Sequence, residues 1–300
     1  LRVASSPEDD QSAGVPNLRV LCRSLAQLET VIACDIRSVI VDFQDIRQYR
    51  RAVELARPSG VEILLATPRI QKPDEMGIFR ALARHGADGF LVRNLAGMAF
   101  CRERQMPFVC DFSLNASNQL TVDYLRQHGA RRVTVSYDLN REQLLELVEA
   151  VPPQWLEVVI HQHMPMFHME HCVFCAVLSP GTNKTNCGRP CDMHQVQMRD
   201  RIGMEHPLTA DVGCRNTLFN AVPQSAAEAV PTLLARGVRD FRIELLTVAD
   251  EALRGMIQLY RDLLDGRVSG KYVWQQLNAA NRVGVTRGTL EERRNPLAIL

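Results

Sequence analysis

Five of the nine cysteines in this 300-residue chain fall between positions 172 and 214, as Cys172-x2-Cys175-x11-Cys187-x3-Cys191 with Cys214 beyond. Two close pairs joined by a polar loop are how a chain wraps a metal, because each short spacing lets two thiolates face one centre. Thiolates are soft donors and select zinc or iron–sulfur over hard cations. Spacing leaves zinc and a [4Fe–4S] cluster both open, the zinc-ribbon pattern being the more familiar. Five donors exceed four cluster positions, and Cys175 is the member that Cys172 or Cys214 could replace. Arg189 and Arg201 stand near enough in sequence to balance a cluster's negative charge. The other four, Cys22, Cys34, Cys101 and Cys110, lie in apolar surroundings and read as packing thiols. An odd count with no secretory signal speaks against a disulfide framework and for a reducing, cytoplasmic setting.

Six of the eight histidines share this region: His161, His163, His168, His171, His194 and His206. A His-x-His at a strand end puts both rings on one face, suited to a second metal or to proton transfer, with Glu157 and Glu170 flanking. No H-E-x-x-H helix supports a zinc hydrolase, and no G-x-S-x-G elbow supports a serine hydrolase. Cys172 beside His171 is the one thiol-peptidase pairing on offer, and its clustered neighbours make a ligand role more economical.

The elements that must position these residues repeat with a steady beat. β-type runs occur at 18–22, 38–43, 61–66, 88–92, 107–112, 131–136 and 155–160, with amphipathic helical stretches at 24–33, 47–56, 74–85, 119–128 and 141–151. Asn94, Asn118 and Asn140 sit at N-cap positions, and Gly60, Gly86 and Gly129 where left-handed C-caps belong. A helix at 225–237, a strand at 241–245 and a helix at 251–265 supply an eighth unit. Eight β-then-α steps predict a (β/α)8 TIM-like barrel, complete or distorted. The absence of G-x-G-x-x-G after the first strand weakens a doubly wound dinucleotide fold. Residues 161–220 break the beat after the seventh strand, which would place them at the C-terminal face where barrel active sites form. Strand-end polar residues there are Asp42, Arg69, Arg93, Asp111, Asn115, Tyr137 and Glu244. Asp111 follows the fifth strand directly, and Arg23, Arg69 and Arg93 could ring the mouth to bind a carboxylate.

Residues 1–17 read as a flexible tail, 18–265 as the barrel domain, and 266–300 as an extension or linker with a short helix near 272–281. The start at Leu1 marks the sequence as a candidate piece of a longer chain. Composition is 46% hydrophobic and 23% charged, enough for a large core and far from the disordered class. No apolar run nears the roughly 18 residues of a membrane span. Net charge is +1, which offers no global lure for nucleic acid, although only three of the 35 basic residues are lysine.

The run Glu157-Val-Val-Ile-His161, Met164-Pro-Met-Phe-His-Met-Glu170-His171-Cys172, then Asn186-Cys187-Gly-Arg-Pro-Cys191, Met198-Arg-Asp-Arg201 and Asp211-Val-Gly-Cys214-Arg215-Asn216 resembles peptidase family U32, the collagenase-like peptidases. Asp111-Phe-Ser-Leu-Asn115 and Gly129 to Thr134 resemble its barrel strands, so the likeness spans roughly residues 18–260. The resemblance implies a barrel carrying an oxygen-labile [4Fe–4S] cluster, which moves the choice from zinc to iron–sulfur. Members were named for proteolysis, while bacterial relatives support oxygen-independent hydroxylation of RNA bases or of the ubiquinone ring, with prephenate implicated as oxygen source. Two departures stand out: Gln162-His163 follows His161 where many members read His-Gly, and Cys172 and Cys175 are closer than usual. Cys172, Cys187, Cys191 and Cys214 are the more transferable ligand set.

The expectation is an iron–sulfur hydroxylation enzyme or component acting on RNA or a small aromatic molecule, with an electron donor or partner subunit and no membrane. Arg69 and Arg93 would bind the anion, and His161 or Asp111 would transfer protons. A peptidase and a non-catalytic, cluster-stabilised RNA-binding or scaffold subunit are the alternatives.

Overall fold

The computed structural model describes residues 3, 14–248, 250–281 and 283–291. Eleven strands follow in chain order: β1 (Asn17–Cys22), β2 (Ser38–Val41), β3 (Glu62–Ala66), β4 (Gly89–Val92), β5 (Phe108–Cys110), β6 (Val133–Thr134), β7 (Leu156–Met169), β8 (Val196–Arg199), β9 (Glu205–Ala210), β10 (Asn216–Ser225) and β11 (Asp240–Glu244). Strands β1 to β7 pair in parallel and in order, and β11 pairs in parallel with both β1 and β7. Eight parallel strands thus close on themselves, and the expected (β/α)8 barrel is the fold.

Ten helices accompany them among the described residues: α1 (Leu25–Ile32), α2 (Gln48–Ala56), α3 (Met76–Ala83), α4 (Leu95–Glu103), α5 (Gln119–Gln127), α6 (Arg141–Ala150), α7 (Val173–Leu178), α8 (Val230–Ala235), α9 (Asp250–Leu264) and α10 (Gly270–Ala280). Five of these helices start at a side-chain cap. Asn94, Asn118 and Asn140 each accept a hydrogen bond from the backbone N–H three residues on, and Gln143 returns one to Asn140 in a capping box. Gly60, Gly86 and Gly129 take left-handed φ of 64°, 66° and 95°, turning the chain back toward the next strand.

The main core lies between strands and helices, where Val20, Val39, Phe90, Phe241 and Tyr260 are buried against α1 to α9. A second apolar layer (Leu21, Ile40, Leu64, Ala66, Leu91 and Val109) fills the barrel lumen on the side of β1 to β5. The opposite side of the lumen is ionic, holding the fully buried Arg242, Glu157 and Asp111.

Strand β7 runs 14 residues, well beyond the six expected of it. Its outer half leaves the barrel and pairs antiparallel with β10, from Ser225 opposite His161 to Asn216 opposite Met169. Strands β9 and β8 add to β10 in turn, so the stretch after the seventh strand is a four-stranded antiparallel flap continuous with the barrel sheet. Phe174, Leu208, Ala210 and Leu218 give the flap a small core of its own. The helix expected from residue 225 starts only at Val230, because Ser225 and Ala226 are tied by backbone bonds to Thr286 and Ile160. The stretch read as an extension packs through α10, with Val273 and Val285 buried against the barrel. Of the tail expected at 1–17, residues 1, 2 and 4–13 lie outside the described residues, as do 292–300 of the extension.

Candidate functional site

The flap sits on the loops that follow β2 and β3, at the C-terminal mouth of the barrel. Gln44 Nε2 donates to the Cys191 carbonyl (2.9 Å), and Arg189 pairs with Asp45 (3.4 Å). Arg215, almost wholly buried, reaches Glu75 and Glu170 (both 2.6 Å), and Lys72 pairs with Glu170 (2.5 Å). These contacts tie cysteine-bearing segments to the barrel mouth.

All five clustered cysteines, Cys172, Cys175, Cys187, Cys191 and Cys214, line one small enclosed space of about 70 Å³. Each is placed by local chemistry. Cys172 is the N-cap of α7, where the Asn216 side chain accepts from Val173 N–H (2.7 Å) and donates toward the Cys172 sulfur (3.8 Å). Cys175 lies one turn on, its thiol donating to the Gly181 carbonyl (3.4 Å). Cys191 falls in the short turn Pro190–Asp192. Cys214 takes a left-handed φ of 64°, a costly conformation for a non-glycine residue. Asp211 enforces it by accepting from both Gly213 N–H and Arg215 N–H (2.8 Å each).

The donor set suits a cluster. All nine cysteines are unpaired thiols, and Lys184 and Arg189 line the same space to offset negative charge. Of the two arginines singled out from sequence, Arg189 lines the space and Arg201 does not, while Lys184 does. Among the described residues no three cysteine, histidine or acidic side chains converge on a single ion. A [4Fe–4S] cluster takes thiolate ligands, which is the donor type these side chains offer. Burial pushes the Cys191 thiol up to about 11 and raises Cys214 as well, so a metal must displace protons to bind. The four outlying cysteines pack as expected, Cys22, Cys101 and Cys110 being buried and Cys34 partly so.

Below the flap, the mouth is an ion-pair network. Arg93 donates to Asp111 (2.9 Å) and Asp42 (3.0 Å). Arg242 donates to Asp111 (2.6 Å) and Glu157 (2.7 Å) and pairs with Glu244 (3.0 Å). Burial alone would raise the Asp111 carboxyl, but Arg242 and Arg93 outweigh it and hold it well below the usual carboxylate range. A carboxylate so locked has no proton to exchange near neutral pH. Its position makes Asp111, expected from sequence as a proton-transfer candidate, an anchor for two guanidiniums. Arg93 is likewise taken up by its two carboxylates.

Arg69 differs. Among the described residues it has no ion-pair partner, and its half-buried guanidinium lies over the Phe112 ring (4.9 Å), which stacks on Tyr137 (3.9 Å). Burial and the nearby Arg93 both disfavour its charge, a debt that an anion would relieve. His168 and Arg23 also reach the mouth. His168, on the flap, bonds Thr217 through Nδ1 (2.9 Å) and leaves Nε2 buried and unpartnered, with Arg69, Arg93, Arg215 and Asp42 as charged neighbours. Arg23 spans Glu244 (3.2 Å) and the Phe219 ring of β10 (5.0 Å). Arg23 stands where its place after the first strand predicts, and the alternation along β7 is the sequence signal for His168.

His161 and Asp111 are not brought together. Glu157 and Val159 sit on the lumen face of β7, but a register shift opposite Arg242 and Ile243 turns His161 outward against Tyr260 (3.1 Å). His163 lines the same space as His161, so the His-x-His pair does share one side, with the Arg23 charge close enough to join burial in lowering His163.

The sequence profile of peptidase family U32 matches residues 30–293. The tRNA hydroxylation protein P of Escherichia coli is 26% identical over 151 residues, covering 49% of this chain and 31% of that protein. The Haemophilus influenzae protein of the same name is 26% identical over 134 residues, covering 44% of this chain and 28% of its own. The matched segments thus span under a third of either relative. Solved structures that align include the YdjI aldolase of Escherichia coli (TM-score 0.42, 11% identity, 92% of this chain and 94% of that one). A tryptophan synthase chain of M. tuberculosis aligns at TM-score 0.43 and 9% identity, over 86% and 90%.

Proposed function

This chain belongs to peptidase family U32, and from that premise we propose that it is an iron–sulfur hydroxylation protein acting on an RNA base or a small aromatic ring. The observation that carries the proposal is the gathering of five thiols around one space, on a flap seated over the barrel mouth. Relatives named for tRNA hydroxylation support the substrate class.

Cys172, Cys187, Cys191 and Cys214 would hold a [4Fe–4S] cluster, with Cys175 as the fifth thiol able to stand in. When bound there, the cluster would supply electron transfer or Lewis acidity beside the mouth. The chain's own residues do the rest. Arg69 takes a carboxylate of an anionic co-substrate such as prephenate, its guanidinium already desolvated and without an acidic partner. Arg93 and Arg242 are compensated by Asp111, Asp42 and Glu157, so this network fixes the floor of the mouth and leaves Arg69 as the cation for that anion. Phe112 and Tyr137 form an aromatic wall that seats the Arg69 guanidinium. With a net charge of +1, RNA would reach the site by local contacts rather than a broad basic face, delivering one unstacked base to the mouth. The setting proposed is cytoplasmic, with an electron donor as partner. A thiol-peptidase reading has less support, since among the described residues no cysteine hydrogen-bonds to an imidazole.

Nucleoside profiling in a strain lacking this protein tests the reading. A hydroxylated nucleoside or ring product should vanish, return with the wild-type chain, and stay absent with Arg69→Gln or Cys187→Ser. An unchanged profile of both RNA and aromatic metabolites would overturn it.

A further inference from the structure

One cavity among the described residues lies apart from the thiol space. It has a volume of about 770 Å³ and lies outside the barrel, between the root of the flap and helices α9 and α10. His161, His163, Met204, Pro223, Met256 and Leu277 are among its lining. Its volume falls in the range of small-molecule sites, roughly 300–1,000 Å³. Because the shift in β7 turns His161 outward, the barrel wall separates this cavity from the ionic lumen. Neither the cluster nor the anion site uses it.

The lining sets the chemistry. Glu205 is the one acidic or basic residue among the described lining residues other than the histidines, and it is engaged by Arg199. Both imidazoles are kept neutral by burial, which pushes His161 down to about 3 and lowers His163. His163 Nδ1 lies 2.8 Å from the Asn220 carbonyl, which can only accept. The hydrogen bond therefore assigns the proton to Nδ1 and leaves Nε2 as an acceptor. A site of this kind penalises ions and rewards an apolar body carrying one O–H or N–H donor.

We propose that this cavity is a second, separate binding site, for an uncharged, mainly apolar small molecule whose hydroxyl or N–H group donates to His163. Its occupancy does not depend on the metal or on the chemistry at the mouth.

The test follows the methyl signals of Met204 and Met256 in the full chain with isotope-labelled methionine, titrated with naphthol, naphthalene and naphthoate. Naphthol should give saturable shifts of both methyls. Naphthalene, which lacks the donor, should bind about tenfold more weakly, the worth of one hydrogen bond, and naphthoate weaker still. His163→Phe should bring naphthol down to the level of naphthalene; if that variant does not fold, the wild-type ranking of the three probes decides alone. The proposal fails if no saturable shift appears, or if naphthoate binds as well as naphthol. It also fails if deleting the residues after Glu291 moves the methyl signals without any probe, which would place the chain's own end in the cavity.

Discussion

Asp111 and Arg69 carry opposite assignments although both stand at strand ends facing the mouth. Asp111 is fully buried between Arg93 and Arg242. Asp111→Asn leaves those two charges under-compensated and should destabilise the fold by about 3 kcal/mol or more in denaturant titration. Arg69→Gln breaks no ion pair and should shift stability by under about 1 kcal/mol, while abolishing stabilisation of the protein by added dicarboxylate in thermal melts. Equal stability losses for the two would erase the distinction between anchor and anion receptor. His161 makes a separate prediction from its depressed pKa. The unfolded imidazole takes a proton as pH drops through about 6.5, but the folded one resists until about 3. The unfolded state therefore binds more protons in that window, and stability is full above pH 6.5 and lost as pH falls. Between pH 6.5 and 5 the loss should approach about 2 kcal/mol. His161→Gln should flatten that slope; an unchanged slope would assign it to other groups, His163 and His168 being the next in line.

The elements explain what the sequence made legible and what it hid. The barrel was readable because every parallel strand carries a short apolar run and many helices begin at an asparagine cap, both local signals. The cysteine spacing was readable for the same reason. The flap was not, since β10 pairs with the outer half of β7 some fifty residues earlier, as in the pairing of Asn216 with Met169. Nor could alternation reveal the shift that turns His161 outward, because one irregular residue pair reverses every face beyond it. Simple alternation would have put that imidazole at the mouth. The flap's attachment gives a prediction of its own. Arg215→Leu removes the bridges to Glu75 and Glu170 and should cost about 1–3 kcal/mol. The loss should be local, so that amide exchange quickens in β9 and β10 while β2 to β4 stay protected. Uniform acceleration across the barrel would show that flap and barrel unfold as one unit.

The whole molecule joins two structures with different chemistry. The barrel supplies a lumen divided into apolar and ionic halves, and the flap brings five thiols onto its mouth. An iron–sulfur centre at that junction would stand beside a carboxylate receptor and an aromatic wall, which is what a redox step on a ring substrate requires. Near-neutral charge fits recognition confined to the mouth rather than spread over the surface. The central claim is that the thiol cavity holds the cluster, and metal content after strictly anaerobic purification tests it most directly. About four irons and four acid-labile sulfides per chain are expected, lost on replacing Cys187, Cys191 or Cys214 by Ser and largely kept in Cys175→Ser. A colourless chain holding a single zinc, or no metal, with all five thiols free to react would contradict the account.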